Sequence, residues 1–375
     1  MMDYLRYYIG PLMIGVALLG VALGSAWTWL GALIMVILAF LDEALPKDFA
    51  SRKMNHPALV DLSIVLCLPL FVALWLTFAW QIGHGFTTGE IIGSMLSVGM
   101  VLGVVGLASA HEFMHRKSTP ELVISDLLLN NAALPITGIG HVVVHHNHVG
   151  TDLDGDTAKR GESIYKFVWR SIPLLLMATW RLELERLKKI GKSYWSVQNP
   201  ILMGTFWVLA LTAAFCALSG WIGLLIFPAT AIIGLIFWAN YNYCQHYGIV
   251  RAIGTPLEIR HSWNHLGPIS RAISYEITAH SDHHLDPDKP FYQLPAISMA
   301  PQMPGIILCF LATLIPPLWD RLIAMPRLRA WDLRYATIKE KELAKAQNIA
   351  AGWPVWQDLP ARGDGNVQKS VSSAA

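Results

Sequence analysis

Six long apolar runs are the feature that most restricts how this chain can fold. A helix needs about 20 mostly apolar residues to cross a bilayer, because in lipid every backbone amide must be satisfied within the helix itself. With 54% hydrophobic and 14% charged residues, the 375-residue chain also lies outside the usual soluble range. We therefore predict an all-α integral membrane protein with spans near residues 8–24, 27–42, 58–82, 89–110, 200–218 and 221–241.

The connections between these runs predict three hairpins and an orientation. The connections inside the pairs, GSAWTW, QIGHGFTTGE and SGW, contain no Lys or Arg, whereas DEALPKDFASRK and residues 111–199 contain several. Basic loops stay on the cytoplasmic side of a membrane. We therefore expect these charged segments and both termini on the cytoplasmic face of a bacterial inner membrane, with His84 as the single histidine on the far side.

The remaining segments predict surface and soluble structure. Residues 303–319 are apolar over too short a length to span and contain two adjacent prolines, so we expect them to be buried or interfacial. Residues 164–192 mix aromatic and basic side chains, which is typical of a helix lying on the inner leaflet. We divide the chain into a membrane-embedded domain, 1–326, and a polar cytoplasmic segment, 327–375, with a disordered tail.

Charge and cysteine usage argue against several classes of protein. A net charge of +2, without a basic patch interleaved with aromatic residues, argues against a nucleic-acid partner. The four cysteines are widely spaced and predict no disulfide framework, zinc pair or iron–sulfur ligand set. The chain has no glycine-rich dinucleotide motif after a strand, so we expect no flavin or haem in it, and electrons for redox chemistry must come from elsewhere.

Nine of the 14 histidines fall into three short windows. Side chains three or four residues apart share one face of a helix, so each window is predicted to aim two or three imidazoles at one point. The windows are HEFMH (His111, His115), HVVVHHNH (His141, His145, His146, His148) and HSDHH (His280, His283, His284).

So many imidazoles predict a metal centre with more than one ion. Imidazole suits iron, zinc, copper and nickel, but zinc is usually satisfied by four ligands, often including thiolates. Two ions with five or six ligands each fit the count better, and iron is the natural choice for activating oxygen. A membrane metal transporter is the alternative, but it should place ligands at mid-bilayer depth, whereas these windows lie at span ends.

Together with NYCQHYG around His246, the windows resemble the histidine boxes of the membrane-bound non-haem diiron monooxygenases and desaturases, particularly the alkane 1-monooxygenase family. The flanks HSWNHLG and RYATIKEKELAKAQNIAAGWPVW are most similar to the hydroxylase components of xylene and p-cymene monooxygenases. The resemblance implies a desaturase/hydroxylase-like fold, two non-haem irons and dioxygen as cosubstrate. It implies nine metal ligands: His111, His115, His141, His145, His146, His246, His280, His283 and His284.

The resemblance also indicates residues that support the ligands. Asp156, in DLDGD, aligns with an aspartate that follows the second box, where it either orients an imidazole or caps the loop. Further candidates for hydrogen bonds around the centre are Glu112, Asp282, His261 and His265. No role is assigned to His148, and no substrate-binding residue is predicted.

The function implied by the resemblance is hydroxylation of an unactivated methyl C–H bond in a hydrophobic substrate taken from the bilayer. A xylene, toluene or p-cymene converted to its benzylic alcohol is the leading prediction, with terminal alkane hydroxylation and fatty-acyl desaturation or hydroxylation as alternatives. The implied donor is an NADH-dependent flavin and iron–sulfur reductase, or a ferredoxin- or rubredoxin-type protein. Arg186, Lys188 and Lys189 could guide its docking, although they equally fit ordinary positive-inside topology.

Overall fold

The computed structural model describes residues 2–52 and 54–357, and the regular elements within these ranges are helices. The predicted all-α membrane fold with six spans is confirmed, while the predicted disordered tail lies outside the described residues. Six helices are long and apolar enough to cross a membrane: Asp3–Leu23, Ser25–Ala44, Pro57–Gly83, Thr88–Met114, Pro200–Ser219 and Gly223–His246.

The fourth and sixth spans continue beyond their predicted C-terminal ends, and both extensions carry histidines. The sequence placed the ends of the fourth and sixth spans at residues 110 and 241, but the helices continue to Met114 and His246. The prediction followed hydropathy, whereas a helix continues wherever its backbone hydrogen bonds can form. Polar side chains in the added turns, such as Glu112 and Gln245, are buried within the protein. His111 therefore lies inside the fourth span and His246 ends the sixth.

The fourth span is the most buried of the six, with 78% of its apolar window enclosed by the rest of the protein. It begins with a capping box in which Thr87 and Glu90 each satisfy the other's backbone N–H. Gly103 lets it approach the sixth span closely, because a Cβ at this position would overlap with the backbone of Gly234. Gly103 itself lies in a π-turn of this span, Leu102–Gly106.

The segments that follow the sixth span pack against the bundle. Residues 303–319 include the helix Ile306–Thr313, which contacts the second and sixth spans and has Phe310 buried. Two polar helices, Met325–Arg334 and Ile338–Ala350, come next. They are anchored by a buried ion pair in which both terminal guanidinium nitrogens of Arg160 lie 2.6 Å from the carboxylate of Asp332. The C-terminal part thus packs against the loop that follows the second histidine window.

Candidate metal centre

Nine histidines meet in two adjacent groups, and within each group the potential ligand nitrogens lie within 4.8 Å of one another. They are the same nine that the sequence suggested, and neither group includes His148. The first group is His111, His115, His141, His146 and His283; the second is His145, His246, His280 and His284.

A π-turn divides the second window between the two groups. Residues His141–His145 form a π-helix, whose hydrogen bonds join residues five apart. This geometry brings His141 and His146 into the first group and turns His145 towards the second. The third window is divided as well, because His283 joins the first group. Each of these windows therefore places two imidazoles in one group and the third in the other.

The imidazole nitrogens face one another at short range. In the first group, His141 Nε2 lies 3.0 Å from His111 Nε2 and 3.2 Å from His146 Nε2. The two groups also touch, since the rings of His146 and His284 stack with their centroids 4.4 Å apart. In the second group, three Nε2 atoms lie 2.8–3.0 Å from one another, those of His246, His280 and His284.

The outer ring nitrogens of His246 and His280 are held by backbone carbonyls. His246 Nδ1 lies 3.3 Å from the carbonyl oxygen of His261, and His280 Nδ1 lies 3.0 Å from that of Ile277. A carbonyl only accepts, so Nδ1 must carry the proton in both rings. The lone pair of each Nε2 is then directed inward, which is the arrangement that a metal ion requires of a histidine ligand.

Buried ring nitrogens without a hydrogen-bond partner further indicate that these residues fit a metal ion. The Nε2 atoms of His115 and His145 are buried and have no hydrogen-bond partner among the described residues. A buried polar atom without a partner costs free energy, and a bound cation would remove that cost. The donor set, all imidazole nitrogens, suits iron among other transition metals. The centre therefore fits metal ions.

Burial keeps most of these imidazoles neutral, as metal binding requires. It lowers the pKa of His115 to about 4, and burial together with neighbouring imidazoles lowers the pKa of His283 well below its usual value. His145 is the exception. Burial again lowers its pKa, but the adjacent Asp154 carboxylate outweighs burial and raises the pKa overall.

Asp154 is the carboxylate that contacts a histidine of the centre. It is buried, and its Oδ2 accepts a hydrogen bond from His145 Nδ1 at 2.8 Å and from the Thr157 hydroxyl at 2.6 Å. A carboxylate in this position fixes the tautomer and raises the basicity of the ligand. It also places negative charge beside an otherwise neutral donor set.

The imidazole-orienting role suggested for Asp156 is thereby corrected. The carboxylate of Asp156 accepts from Asn242 Nδ2 at 2.6 Å, while Asp154 holds the imidazole. The contact between His145 and Asp154 forms across an irregular loop, so no periodic spacing in the sequence could distinguish one aspartate from its neighbour.

The two carboxylates inside the histidine boxes, Glu112 and Asp282, form ion pairs with basic side chains. Glu112 accepts from Arg116 Nε at 2.9 Å, and Asp282 pairs with Lys289 at 3.1 Å. Both lie near the centre in sequence, but the partners that the structure gives them are basic side chains.

The two histidines of RHSWNHLG, His261 and His265, take part in hydrogen bonds with backbone carbonyl groups near the centre. His261 supplies the carbonyl that binds His246, and its own Nε2 lies 2.8 Å from Glu340 Oε1. His265 Nδ1 donates to the carbonyl of Pro304 at 2.6 Å. His261 thus connects the centre to the helix Ile338–Ala350, a link that spacing in the sequence could not reveal.

A cavity of about 30 Å³ adjoins the first histidine group. His111 and His141 form part of its wall, and most of the remaining wall is apolar. The apolar lining includes Leu107, Met114, Leu129, Ile136, Leu175 and Trp238.

Six apolar helices that carry a buried polyhistidine centre define an integral membrane enzyme of the desaturase and hydroxylase type. The model of the fatty acid desaturase family matches residues 86–310. The xylene/toluene monooxygenase hydroxylase component of Pseudomonas putida is 40% identical over 359 residues, which cover 95% of this chain and 97% of the relative. The alkane 1-monooxygenase of Ectopseudomonas oleovorans is 30% identical over 316 residues, covering 81% and 77% of the two chains.

This chain belongs to the fatty acid desaturase family and, within it, to the membrane monooxygenases related to alkane 1-monooxygenase. It is an oxidoreductase, and such enzymes imply a separate electron-transfer partner. The comparisons favour this function over metal transport.

Proposed function

We propose that this chain hydroxylates a methyl group of a hydrophobic alkyl-substituted aromatic compound, of the xylene, toluene or p-cymene type, to the primary benzylic alcohol. The nine histidines would hold two non-haem iron ions, one in the group of five and one in the group of four. When bound, the irons would supply dioxygen reduction and the transfer of one oxygen atom to the substrate. The chain itself orients the ligands, keeps most of them neutral and encloses the reacting methyl group.

The cavity beside His111 and His141 is the observation that carries the substrate class. Its wall comes largely from apolar side chains, so a hydrocarbon loses little by leaving the lipid for it. Holding even benzene takes about 150 Å³, far more than the present volume, so binding must displace side chains. Met114 is suited to this, because its unbranched thioether chain adapts to irregular shapes.

The relatives support an aromatic substrate, and one alternative keeps support of its own. The relative named for xylene and toluene aligns over nearly the whole chain at 40% identity. Several relatives named alkane 1-monooxygenase align at lower identity, as in the 33% match to the Pseudomonas aeruginosa protein over 64% of each chain. Terminal alkane hydroxylation is therefore the second candidate, and fatty-acyl desaturation or hydroxylation is the third.

The proposed partner is an NADH-dependent flavin and iron–sulfur reductase, or a ferredoxin- or rubredoxin-type donor, that docks on the cytoplasmic face of a bacterial inner membrane. This orientation rests on the basic loops, which would also place both termini and the centre in the cytoplasm. Lys188 and Lys189 are exposed at the end of Ile164–Lys189 and are available for docking. Arg186 is already paired with Glu183 at 2.7 Å, which makes it the weaker candidate.

Conversion of a substrate panel under ¹⁸O-labelled dioxygen tests the proposal. Purified protein with a surrogate reductase should convert xylene, toluene and p-cymene to benzylic alcohols that carry one labelled oxygen atom. Metal analysis should find two irons per chain. Label found only in alkanols would move the function to the alkane branch, and label found only in acyl products would move it to the fatty-acyl branch. Iron uptake into vesicles without any oxygenated product would instead support the alternative function, metal transport.

A further inference from the structure

Asp156 lies in the wall between two cavities. The inner one is the cavity of about 30 Å³ that reaches His111 and His141. The outer one is a cleft of about 410 Å³ whose wall includes Ser171, Arg170 and Lys159. Asp156 and Leu175 line both. Asp156 therefore separates a cavity that reaches His111 and His141 from a larger outer cleft, whose wall also includes His145 and Asp154.

Both cavities also contain polar atoms without protein partners. Thr137 Oγ1 and Trp238 Nε1 belong to the inner wall, Ser171 Oγ belongs to the outer wall, and none of the three has a hydrogen-bond partner among the described residues. A cavity holds a water when it offers more than about 10–15 Å³ and two to four polar partners. The inner cavity meets both conditions with Asp156, Thr137 and Trp238.

We propose that Asp156 is the proton-transfer group that connects water in the outer cleft to the histidine centre. The proposal rests on the proposed hydroxylation, whose balance requires it: the substrate, dioxygen, two electrons and two protons give one alcohol and one water. The electrons come from the separate donor. The protons must come from solvent, and Asp156 is the titratable side chain that the walls of the two cavities share.

Each transfer has a defined start and end. A proton passes from water in the cleft to a carboxylate oxygen of Asp156, so an O–H bond forms there and one breaks in the donor. That O–H bond then breaks as the proton passes, through water on the Asp156 side of the inner cavity, which widens when the substrate displaces side chains beside the histidines, to the dioxygen-derived oxygen that leaves as water. Asp156 returns to the carboxylate and takes the next proton from the cleft.

The surroundings of Asp156 suit a group that changes its protonation state. Burial raises its pKa above the usual value, and Asp154 adds to the rise. His145, Arg170 and the hydrogen bond from Asn242 each lower the pKa of Asp156. Together they lower it by less than burial and Asp154 raise it, so the pKa is raised overall. A carboxyl with a raised pKa is closer to the range in which protons move both ways at neutral pH.

Asp156→Asn tests the proposal, because an amide keeps an acceptor for Asn242 but cannot relay protons. Reductant-driven dioxygen consumption should fall by about 100-fold, the lower range of a lost general acid, with the KM for substrate and the iron content unchanged. The solvent deuterium isotope effect on kcat should rise. Asp156→Glu should recover most of the loss. Consumption within threefold of wild type, in protein that retains its iron, overturns the proposal.

Two further variants separate a relay from a structural role. Asn242→Ala removes the hydrogen bond but keeps the carboxyl, so dioxygen consumption should stay within about threefold of wild type; a loss as large as that of Asp156→Asn would make Asp156 a structural residue. Glu342→Gln is the control for loss of a carboxylate, since Glu342 is exposed on the helix Ile338–Ala350 and lines neither cavity. If Asp156→Asn loses iron, Thr137→Val takes its place, with slower turnover and a larger isotope effect expected and an unchanged isotope effect counting against the relay.

Measuring dioxygen consumption separately from alcohol formation allows the relay and the proposed hydroxylation to be tested independently. Reduction of dioxygen to water needs protons whether or not a substrate is oxidised. Wild type that consumes dioxygen but forms no alcohol would contradict the proposed hydroxylation and still allow the Asp156 comparison. Alcohol formation that survives Asp156→Asn would contradict the relay alone.

Discussion

Asp154 is the residue through which one histidine of the centre is fixed. Three donors hold its carboxylate, the His145 ring, the Thr157 hydroxyl and the backbone N–H of Asp156. With the carboxylate immobilised in this way, the His145 ring cannot rotate or change tautomer without breaking a charge-assisted hydrogen bond. Its Nε2 is thereby presented to the second histidine group.

Replacing Asp154 with Asn should weaken iron binding. The amide can present its NH₂ group to His145 Nδ1, which would favour the wrong tautomer, and the nearby negative charge is lost. Loss of such a partner typically costs 10- to 100-fold in metal affinity, so we expect iron to dissociate at about 10-fold lower chelator concentration. Titration with a chelator, followed by metal analysis, measures this. Asp152→Asn should match wild type, and equal iron retention in both variants would contradict the role.

For individual residues, the sequence predicted which nine histidines cluster, but not how they are distributed between the two groups. Spacing and family resemblance pointed to nine residues, because ligands must come in clusters. The division depends on the π-turn at His141–His145, and no residue in HVVVHH requires a π-turn rather than an α-helix. The contact between Asp154 and His145 likewise depends on the path of a loop.

Among the elements, the contact between the fourth and sixth spans positions histidines from both. Gly103 lies against Gly234 and Phe237, and His111 and His246 lie further along the two helices. Small residues at such a contact let two backbones approach closely in a membrane. Hydropathy predicted that these helices exist, but it gave no indication that they touch here.

Gly103→Ala should therefore push the two spans apart. Overpacking of this kind typically costs about 1–3 kcal/mol, and we expect a lower Tm in detergent together with lower iron content. Gly15→Ala is the matched control, because nothing lies within 4 Å of the added Cβ. There alanine should be neutral or slightly stabilising. A Tm for Gly103→Ala equal to that of the control would contradict the close contact.

The helix Ile338–Ala350 supports the centre through Glu340. Burial alone would raise the pKa of Glu340, but hydrogen bonds from His261, Thr337 and Arg260 outweigh it and lower the pKa to about 2. The usual value is about 4.3. A lowered pKa means that the stabilisation is present above about pH 4.3 and is lost as the pH falls towards 2.

Glu340→Gln should consequently have a lower Tm than wild type at pH 7, and the difference should shrink below about pH 4. Thermal melting between pH 7 and pH 3 measures it. Glu342→Gln, exposed on the same helix, should follow wild type throughout. A difference that grows in acid would contradict the assignment.

At the scale of the whole molecule, exposed tryptophans indicate where the membrane ends. Trp27, Trp80 and Trp221 are 53–77% exposed and lie beside the three connections that lack basic residues. Tryptophan collects at the boundary between lipid and water. Trp169 and Trp195, at 86% and 79% exposed, lie instead in the basic half of the chain. The aromatic residues thus mark two boundaries, in agreement with the hairpin pattern.

Cysteine labelling should establish which boundary faces the cytoplasm. In a Cys216→Ser background, which removes the one partly exposed native thiol, we expect His84→Cys to react with a membrane-impermeant maleimide in intact spheroplasts. Lys117→Cys should react only after the membrane is opened. Lys117 is suited to the test, because its side chain is 83% exposed and its pair with Asp288 is a surface ion pair of little energetic weight. The reverse labelling pattern would place the histidine centre outside the cytoplasm, where a cytoplasmic NADH-dependent reductase could not reach it.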